Sequence, residues 1–174
     1  MAKILFITGG ARSGKSRLAE SLAEGFGTPL CYIATGQALD TEMEERISAH
    51  RTRRGGNWHT VEEPLRLAET IRNVDGSFQA ILVDCITLWL TNLLLTHEDT
   101  DQVMAKVGAL VEVMPKGKTP LILVSNEVGM GIVPENAQAR LFRDLSGFIQ
   151  QKVAREADEV YFMVSGLPVK IKGA

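Results

Sequence analysis

Gly9-Gly10-Ala11-Arg12-Ser13-Gly14-Lys15-Ser16 fills every defining position of the pattern G-x-x-x-x-G-K-[ST]. Glycines at its two ends let the backbone turn tightly, so that successive N–H groups converge on one spot where phosphate oxygens accept them. Lys15 adds a mobile positive charge. Ser16 opens a helix whose N-terminus carries partial positive charge, and its hydroxyl is positioned to ligate a magnesium ion bridging nucleotide phosphates. The flanks agree: residues 3–8 (KILFIT) form a short apolar, β-branched run, while Leu18, Leu22 and Phe26 with Ala19 and Ala23 make one helical stripe that Gly25 and Gly27 stop. The order is strand, loop, helix. A glycine-rich turn with a solvated Lys15 is the alternative, and it does not account for the Lys-Ser pair at the helix start.

Further apolar runs repeat the strand-then-helix order. Residues 30–34 (LCYIA) end in Thr35-Gly36, and in an open parallel sheet the crevice beyond the strands' carboxyl ends is where ligands sit, so Ala34, Thr35 and Gly36 either border the phosphate loop or form an ordinary turn. Residues 80–84 (AILVD) end in Asp84, the form of a strand whose terminal carboxylate orients magnesium-bound water; many buried strands also end in Asp for no such reason. Residues 58–61, 120–125 and 159–164 complete the core strands, with 168–172 as a further edge. Helices are expected from Pro64 to about Asp75, over 86–95, 103–114 and 137–157, the last with Leu141, Leu145, Phe148 and Val153 inward. The stretch 97–101 reads as an acidic loop. Apolar strands without alternation, separated by helices, indicate the α/β class: a P-loop NTPase-type (RecA-like), mainly parallel sheet covered by helices on both faces.

Residues 40–54 (DTEMEERISAHRTRR) read as a helix with a Thr41/Glu44 capping box and a basic second half. His50 falls at the border between the apolar side (Met43, Ile47) and the cationic one (Arg46, Arg53, Arg54), where packing can hold an imidazole while its free nitrogen meets an anion. A solvated basic helix end, matched to the dipole, is the competing account. His59 has no partner at metal-ligand spacing. Asn126-Glu127-Val128-Gly129-Met130-Gly131-Ile132-Val133-Pro134-Glu135-Asn136, directly after a strand, has the composition of a functional loop.

Composition narrows the partner. The 174 residues are 45% hydrophobic, enough for one globular domain with a real core, and a net charge of -2 gives no general attraction to nucleic acid or anionic membrane. Cys31 and Cys85 lie within apolar runs and read as buried reduced thiols, which suits the cytoplasm. The longest apolar stretch, residues 85–95, is about half a membrane span, and no signal-peptide pattern opens the chain. A guanine-reading switch would carry an Asn-Lys-x-Asp motif, which is absent. Small-molecule phosphoryl or nucleotidyl transfer remains.

The segments GGARSGKS, YIATGQALDTEMEERISAHR, VDCITLWLTNLL, VSNEVGMGIVPEN, ARLFRD and ADEVYFMVSGLPVKIKG together resemble the bifunctional adenosylcobinamide kinase/adenosylcobinamide-phosphate guanylyltransferase family of cobalamin biosynthesis, from residue 3 to residue 173. The resemblance implies one nucleotide-binding transferase domain over residues 1–174 and two reactions. Adenosylcobinamide takes a γ-phosphate, and GTP then guanylylates a histidine that the phosphorylated corrinoid displaces, giving adenosylcobinamide-GDP. It places the guanylylated histidine on His50, the phosphate loop with its lysine on Gly9 to Ser16, and further nucleotide contacts on Ala34, Thr35, Gly36, Arg51, Thr52, Arg53, Arg54, Glu62 and Asp84, with magnesium on Ser16 and Asp84. GTP is the expected nucleotide, ATP a second candidate for the kinase step, and Glu127 a candidate kinase base. The partners implied are adenosylcobinamide and its phosphate, in a homo-oligomer of trimeric type; the composition already speaks against nucleic acid and membrane insertion and for the cytoplasm. A kinase of another small hydroxyl substrate, or an NTP-gated binding protein, are the alternatives. Neutral imidazole suits the role because it attacks phosphorus without first losing a proton and leaves readily from a phosphoramidate.

Overall fold

Strand β1 (Ile4–Gly9) is buried along its whole length and is an inner strand of the sheet. The computed structural model describes residues 2–37, 55–96 and 99–173. Within them β2 (Leu30–Ala34), β3 (Trp58–Glu62), β4 (Ala80–Asp84), β5 (Leu121–Asn126), β6 (Glu159–Val164) and β7 (Leu167–Lys172) complete a seven-stranded sheet in the order β3-β2-β4-β5-β1-β6-β7. Every pairing is parallel except β6 with β7. Register aligns the carboxyl ends: Gly9 lies opposite Asn126 and Met163, and Ala34 opposite both Asp84 and Glu62. That alignment gathers the turns after β1, β2, β3, β4 and β5 on one edge.

Both faces are covered, as expected for apolar strands that do not alternate. On one face Leu5, Ile7, Tyr32, Leu82 and Val124 pack against α1 (Lys15–Glu24), whose fully buried Ala19 and Ala23 allow a close approach. On the other, Ile4, Phe6, Ile33, Val83 and Leu123 meet α2 (Leu67–Val74), α3 (Ile86–Thr96), α4 (Thr100–Val113) and α5 (Ala137–Glu156). The fold class expected from the sequence is the one observed. Cys31 and Cys85 are free and buried, and desolvation pushes their thiols up to about 12 and about 11. His59 stacks on Phe78, a structural contact. Among the described residues no helix is long and apolar enough to cross a membrane.

Local differences have physical causes. Helix α2 begins at Leu67 rather than Pro64, because the Glu63 carboxylate accepts the N–H groups of Leu65 and Arg66 and holds an extra turn ahead of the helix. Helix α4 begins at Thr100, three residues early, since Asp99 caps it by accepting from Asp101 N–H; part of the acidic stretch is thus a helix start. In α5 the inward stripe is Leu145, Ile149 and Val153, whereas Leu141 and Phe148 are 41% and 56% exposed. A 20-residue helix is about 30 Å long and a six-residue strand about 20 Å, so the first turns of α5 overhang the sheet edge and leave Leu141 outside, while Phe148 lies off the stripe.

Candidate functional site

The turn between β1 and α1 follows from steric demands at two glycines. Gly9 has φ 148°, and a Cβ there would stand 2.6 Å from the Met163 carbonyl oxygen on β6. Gly14, the N-cap of α1, is left-handed at φ 97°, ψ 8°, with no side-chain cap and no acid in the first turn, so the helix presents bare N–H groups. Lys15 is only 7% exposed and folds back to donate from Nζ to the Gly10 carbonyl at 2.6 Å. It is therefore held rather than mobile, and it is the first helical residue, with half-buried Ser16 second. Desolvation lowers the Lys15 pKa, and the negative charge of Asp84 pulls it part of the way back. Ser13 Oγ is buried without a hydrogen-bond partner, the only such side-chain oxygen or nitrogen among the described residues. Orphaned polar atoms of this kind call for a ligand or water.

At the ends of β2 and β4 the structure gives Thr35 a definite task. Its hydroxyl, fully buried, accepts from Cys85 N–H at 2.8 Å and donates to the Cys85 carbonyl at 2.7 Å, while its own N–H donates to the Asp84 carbonyl at 3.3 Å. Asn92 on α3 donates to the Thr35 carbonyl at 2.7 Å and to the Pro64 carbonyl at 3.2 Å. Thr35 thus fixes the backbone that carries Asp84, and its side chain is committed there. Gly36 packs close to Leu88, where a Cβ would meet Cδ1 at 3.2 Å. Glu62 is exposed at the end of β3, two strands from β4.

The loop after β5 is tied to the same edge. Glu127 N–H donates to the Gly9 carbonyl at 2.9 Å, and both Glu127 carboxylate oxygens accept from its own loop, from Gly129 N–H at 2.6 Å and Met130 N–H at 3.2 Å. From α5, Arg143 reaches the Gly129 carbonyl and Gln150 donates to the Asn126 carbonyl while accepting from Thr8 Oγ1. On the other side of β1, the Ser165-Gly166 turn joins β6 to β7, and Gly166 N–H donates to the Ser13 carbonyl at 3.1 Å. Sequence reading missed Asn92, Gln150 and this turn. A lone Asn in the apolar run WLTNLLL and a Ser-Gly pair between two strand runs were available signals; for Gln150 there was none.

The edge thus brings together Gly9 to Ser16, Ala34, Thr35, Gly36 and Asp84, with Glu62 farther along it. His50, Arg51, Thr52, Arg53 and Arg54, with the helix expected over 40–54, lie outside the described residues. Among the described residues no three or more His, Cys, Asp or Glu gather as a metal-binding set. The carboxylate of Asp84 and the hydroxyl of Ser16 are hard oxygen donors, and a pair suits magnesium, which takes one or two protein ligands and fills its shell with phosphate and water.

Comparison with known proteins gives the family and the fold. The family described as cobinamide kinase/cobinamide phosphate guanyltransferase matches residues 5–171. The bifunctional adenosylcobalamin biosynthesis protein CobP of Pseudomonas aeruginosa is 48% identical over 167 residues, 96% of this chain and 96% of its own. CobU of Escherichia coli, of the same description, is 42% identical over 181 residues, 97% of this chain and 99% of its own. Among solved structures, a KaiC-like protein from Pyrococcus horikoshii OT3 is similar at TM-score 0.53 and 13% identity, over 92% of this chain and 70% of that one, a likeness that shows the P-loop NTPase fold alone. The family match spans nearly every described element, and these two relatives align over almost their whole length: the chain belongs to the cobinamide kinase/cobinamide phosphate guanyltransferase family, bifunctional enzymes of adenosylcobalamin biosynthesis.

Proposed function

We propose that one nucleotide site, within a single domain, serves two successive transfers. In the first, the hydroxyl of adenosylcobinamide attacks the γ-phosphorus of a nucleoside triphosphate, GTP or ATP; the bond to the β-phosphate oxygen breaks and the nucleoside diphosphate leaves. In the second, an imidazole nitrogen of His50 attacks the α-phosphorus of GTP and pyrophosphate departs. A phosphate oxygen of adenosylcobinamide phosphate then attacks the same phosphorus, the P–N bond breaks, and adenosylcobinamide-GDP forms with His50 restored. The observation that carries the reading is Lys15, buried and folded onto the phosphate loop, with Asp84 at the end of β4 on the same edge of the sheet. Such an ammonium gains most from an anionic partner, and the bare N–H groups of α1 add donors for the same phosphates.

Roles follow from chemistry. Gly9 to Ser16 wrap the phosphates, with Lys15 on the β- and γ-groups. Ser13 Oγ, buried and unpartnered, is a further donor to a phosphate oxygen. Ser16 and Asp84 would hold magnesium, which when bound neutralises charge on the phosphate oxygens. Arg51, Arg53 and Arg54, with Thr52, would surround charge building on the α-phosphate. Ala34, Gly36 and Glu62 border the nucleotide, Thr35 through its hold on the backbone of Cys85. Glu127 shapes its loop, since both oxygens are engaged there. The free, buried thiols of Cys31 and Cys85 support work in the cytoplasm, and the family resemblance supports a homo-oligomer.

GTP labelled at the α-phosphate tests the histidine step. Wild-type protein should carry a covalent label that is lost in mild acid, where protonated imidazole leaves readily, and kept in base. His50→Ala should take no label and make no GDP-corrinoid, while part of the kinase turnover survives. A label that withstands mild acid, or one that appears on His50→Ala, would refute the intermediate.

A further inference from the structure

The loop that follows β5 exposes apolar side chains on a frame that does not need them. Ile132 is 96% exposed, Met130 77% and Val133 61%. None of the three side chains contributes to holding the loop. That is done by the Glu127 carboxylate on Gly129 and Met130 N–H, by Arg143 on the Gly129 carbonyl, and by Arg140 on the carbonyls of Pro134 and Glu135 at 2.9 and 2.6 Å. Asn136 then caps α5 through Gln138 and Ala139 N–H. A loop fixed by polar bonds on one side and presenting apolar groups to solvent on the other has the build of a recognition surface.

Position says what it recognises. β5 lies next to β1, and the first residue of the loop bonds to Gly9 at the root of the phosphate loop. Any acceptor for the γ-phosphate must bring its hydroxyl to that root. The body of cobinamide, a corrin macrocycle edged with methyl groups and neutral amide arms, is wider than two strand spacings, about 10 Å. It therefore has to lie over the rim beside the loop that binds the phosphates. Residues 128–134 (VGMGIVP) carry no charge, which matches a ligand body whose periphery is methyl and amide, while the phosphate loop beside them holds the buried ammonium of Lys15. We infer that Met130, Ile132 and Val133 form the apolar seat on which the corrin body of the substrate rests while its hydroxyl reaches the phosphate loop. The inference rests on the substrate reading proposed above.

The test uses the full chain with Met130 and Ile132 both changed to Ser, and Ile171→Ser as the control. Ile171 is 61% exposed on β7, beside Lys172, which pairs with Val160 near the start of β6 at the opposite edge of the sheet. Kinase turnover is measured with cobinamide varied and then with nucleotide varied, cobinamide binding by equilibrium dialysis, and mass in solution by light scattering. The double variant should raise both KM and Kd for cobinamide by roughly tenfold or more, the size expected from uncovering parts of two apolar side chains, with nucleotide KM unchanged. Ile171→Ser should match wild type. Cobinamide constants within about twofold of wild type in the double variant overturn the seat. So does a drop in mass with both substrates' KM values raised together, since the loop would then be a contact between copies of the chain. If wild-type protein neither binds nor phosphorylates cobinamide, the substrate reading itself falls and the seat with it, a result distinct from a variant that merely equals an active wild type.

Discussion

Lys15 is subject to opposing forces, and its environment decides what removing it would do. Burial lowers its pKa, Asp84 opposes that, and the Gly10 carbonyl accepts a hydrogen bond from the ammonium. The fold draws little from such a group: its hydrogen bond is worth about 1 kcal/mol net, and desolvation offsets part of it. Chemistry draws much more, because a positioned cation stabilises charge that grows on the transferred phosphoryl group. Lys15→Ala should therefore cut both transfers by roughly a hundredfold or more while changing unfolding free energy by no more than about 1 kcal/mol. Rates of the two steps, set beside urea titrations, check this, and a variant that keeps either activity removes Lys15 from the site. The eight-residue loop was legible because each defining position has a local steric or charge reason. Thr35 was not legible in the same way. Its position suggested a ligand contact, yet its hydroxyl binds Cys85, 50 residues along the chain, and no local pattern announces a partner that far away.

At the scale of elements, α5 does more than cover the sheet. Gln150 accepts from Thr8 Oγ1 on β1 at 3.0 Å and donates to the Asn126 carbonyl on β5 at 2.9 Å and to Ser146 Oγ at 3.2 Å, bridging the two strand ends from which the phosphate loop and the loop after β5 depart. Gln150→Leu keeps the volume and strands those buried partners, at a cost of about 1–3 kcal/mol. Because the stranded groups sit at the root of the phosphate loop, nucleotide KM should rise several-fold in the variant, and Gln150→Glu, which keeps the acceptor for Thr8, should recover part of it. A variant that is less stable but binds nucleotide as wild type would make Gln150 a core residue and nothing more. The existence of α5 was plain from its apolar spacing, but its inward face was not. Periodicity alone admits Leu141 and Phe148 to the stripe, and only the overhang of the helix beyond the strands leaves Leu141 in solvent. Likewise, the start of α4 was read as acidic loop because an Asp that caps and an Asp that is solvated look alike in sequence.

For the whole molecule, parallel α/β character was readable from apolar runs without alternation, whereas strand order was not, since nothing in a buried run names its neighbours. The order puts β6 beside β1, and with it the antiparallel β7, whose turn backs the phosphate loop through Gly166. Glu159, at the start of β6, ties these parts together: its carboxylate pairs with Lys3, just ahead of β1, at 2.7 Å and with Lys170 on β7 at 3.4 Å, and accepts from the Tyr161 hydroxyl. The hydrogen bond from Lys3 comes first and that from Tyr161 second in holding the carboxyl down from its ordinary 4.5 to about 2, while the Tyr161 hydroxyl is pushed up to about 12 by the same bond. The sign is fixed by the folded form preferring the ionised carboxyl. This contribution to stability is full above pH 4.5, declines as the unfolded chain takes up a proton that the folded chain refuses, and is gone near pH 2. Glu159→Gln removes it at every pH. The variant should be less stable than wild type at pH 7, and the gap between their urea midpoints should narrow steadily from pH 4.5 downward, as other carboxylates, Glu63 and Asp75 among them, affect both proteins alike. A gap that stays constant from pH 7 to pH 3 would mean that the network around Glu159 does not bind β6 to its neighbours in solution.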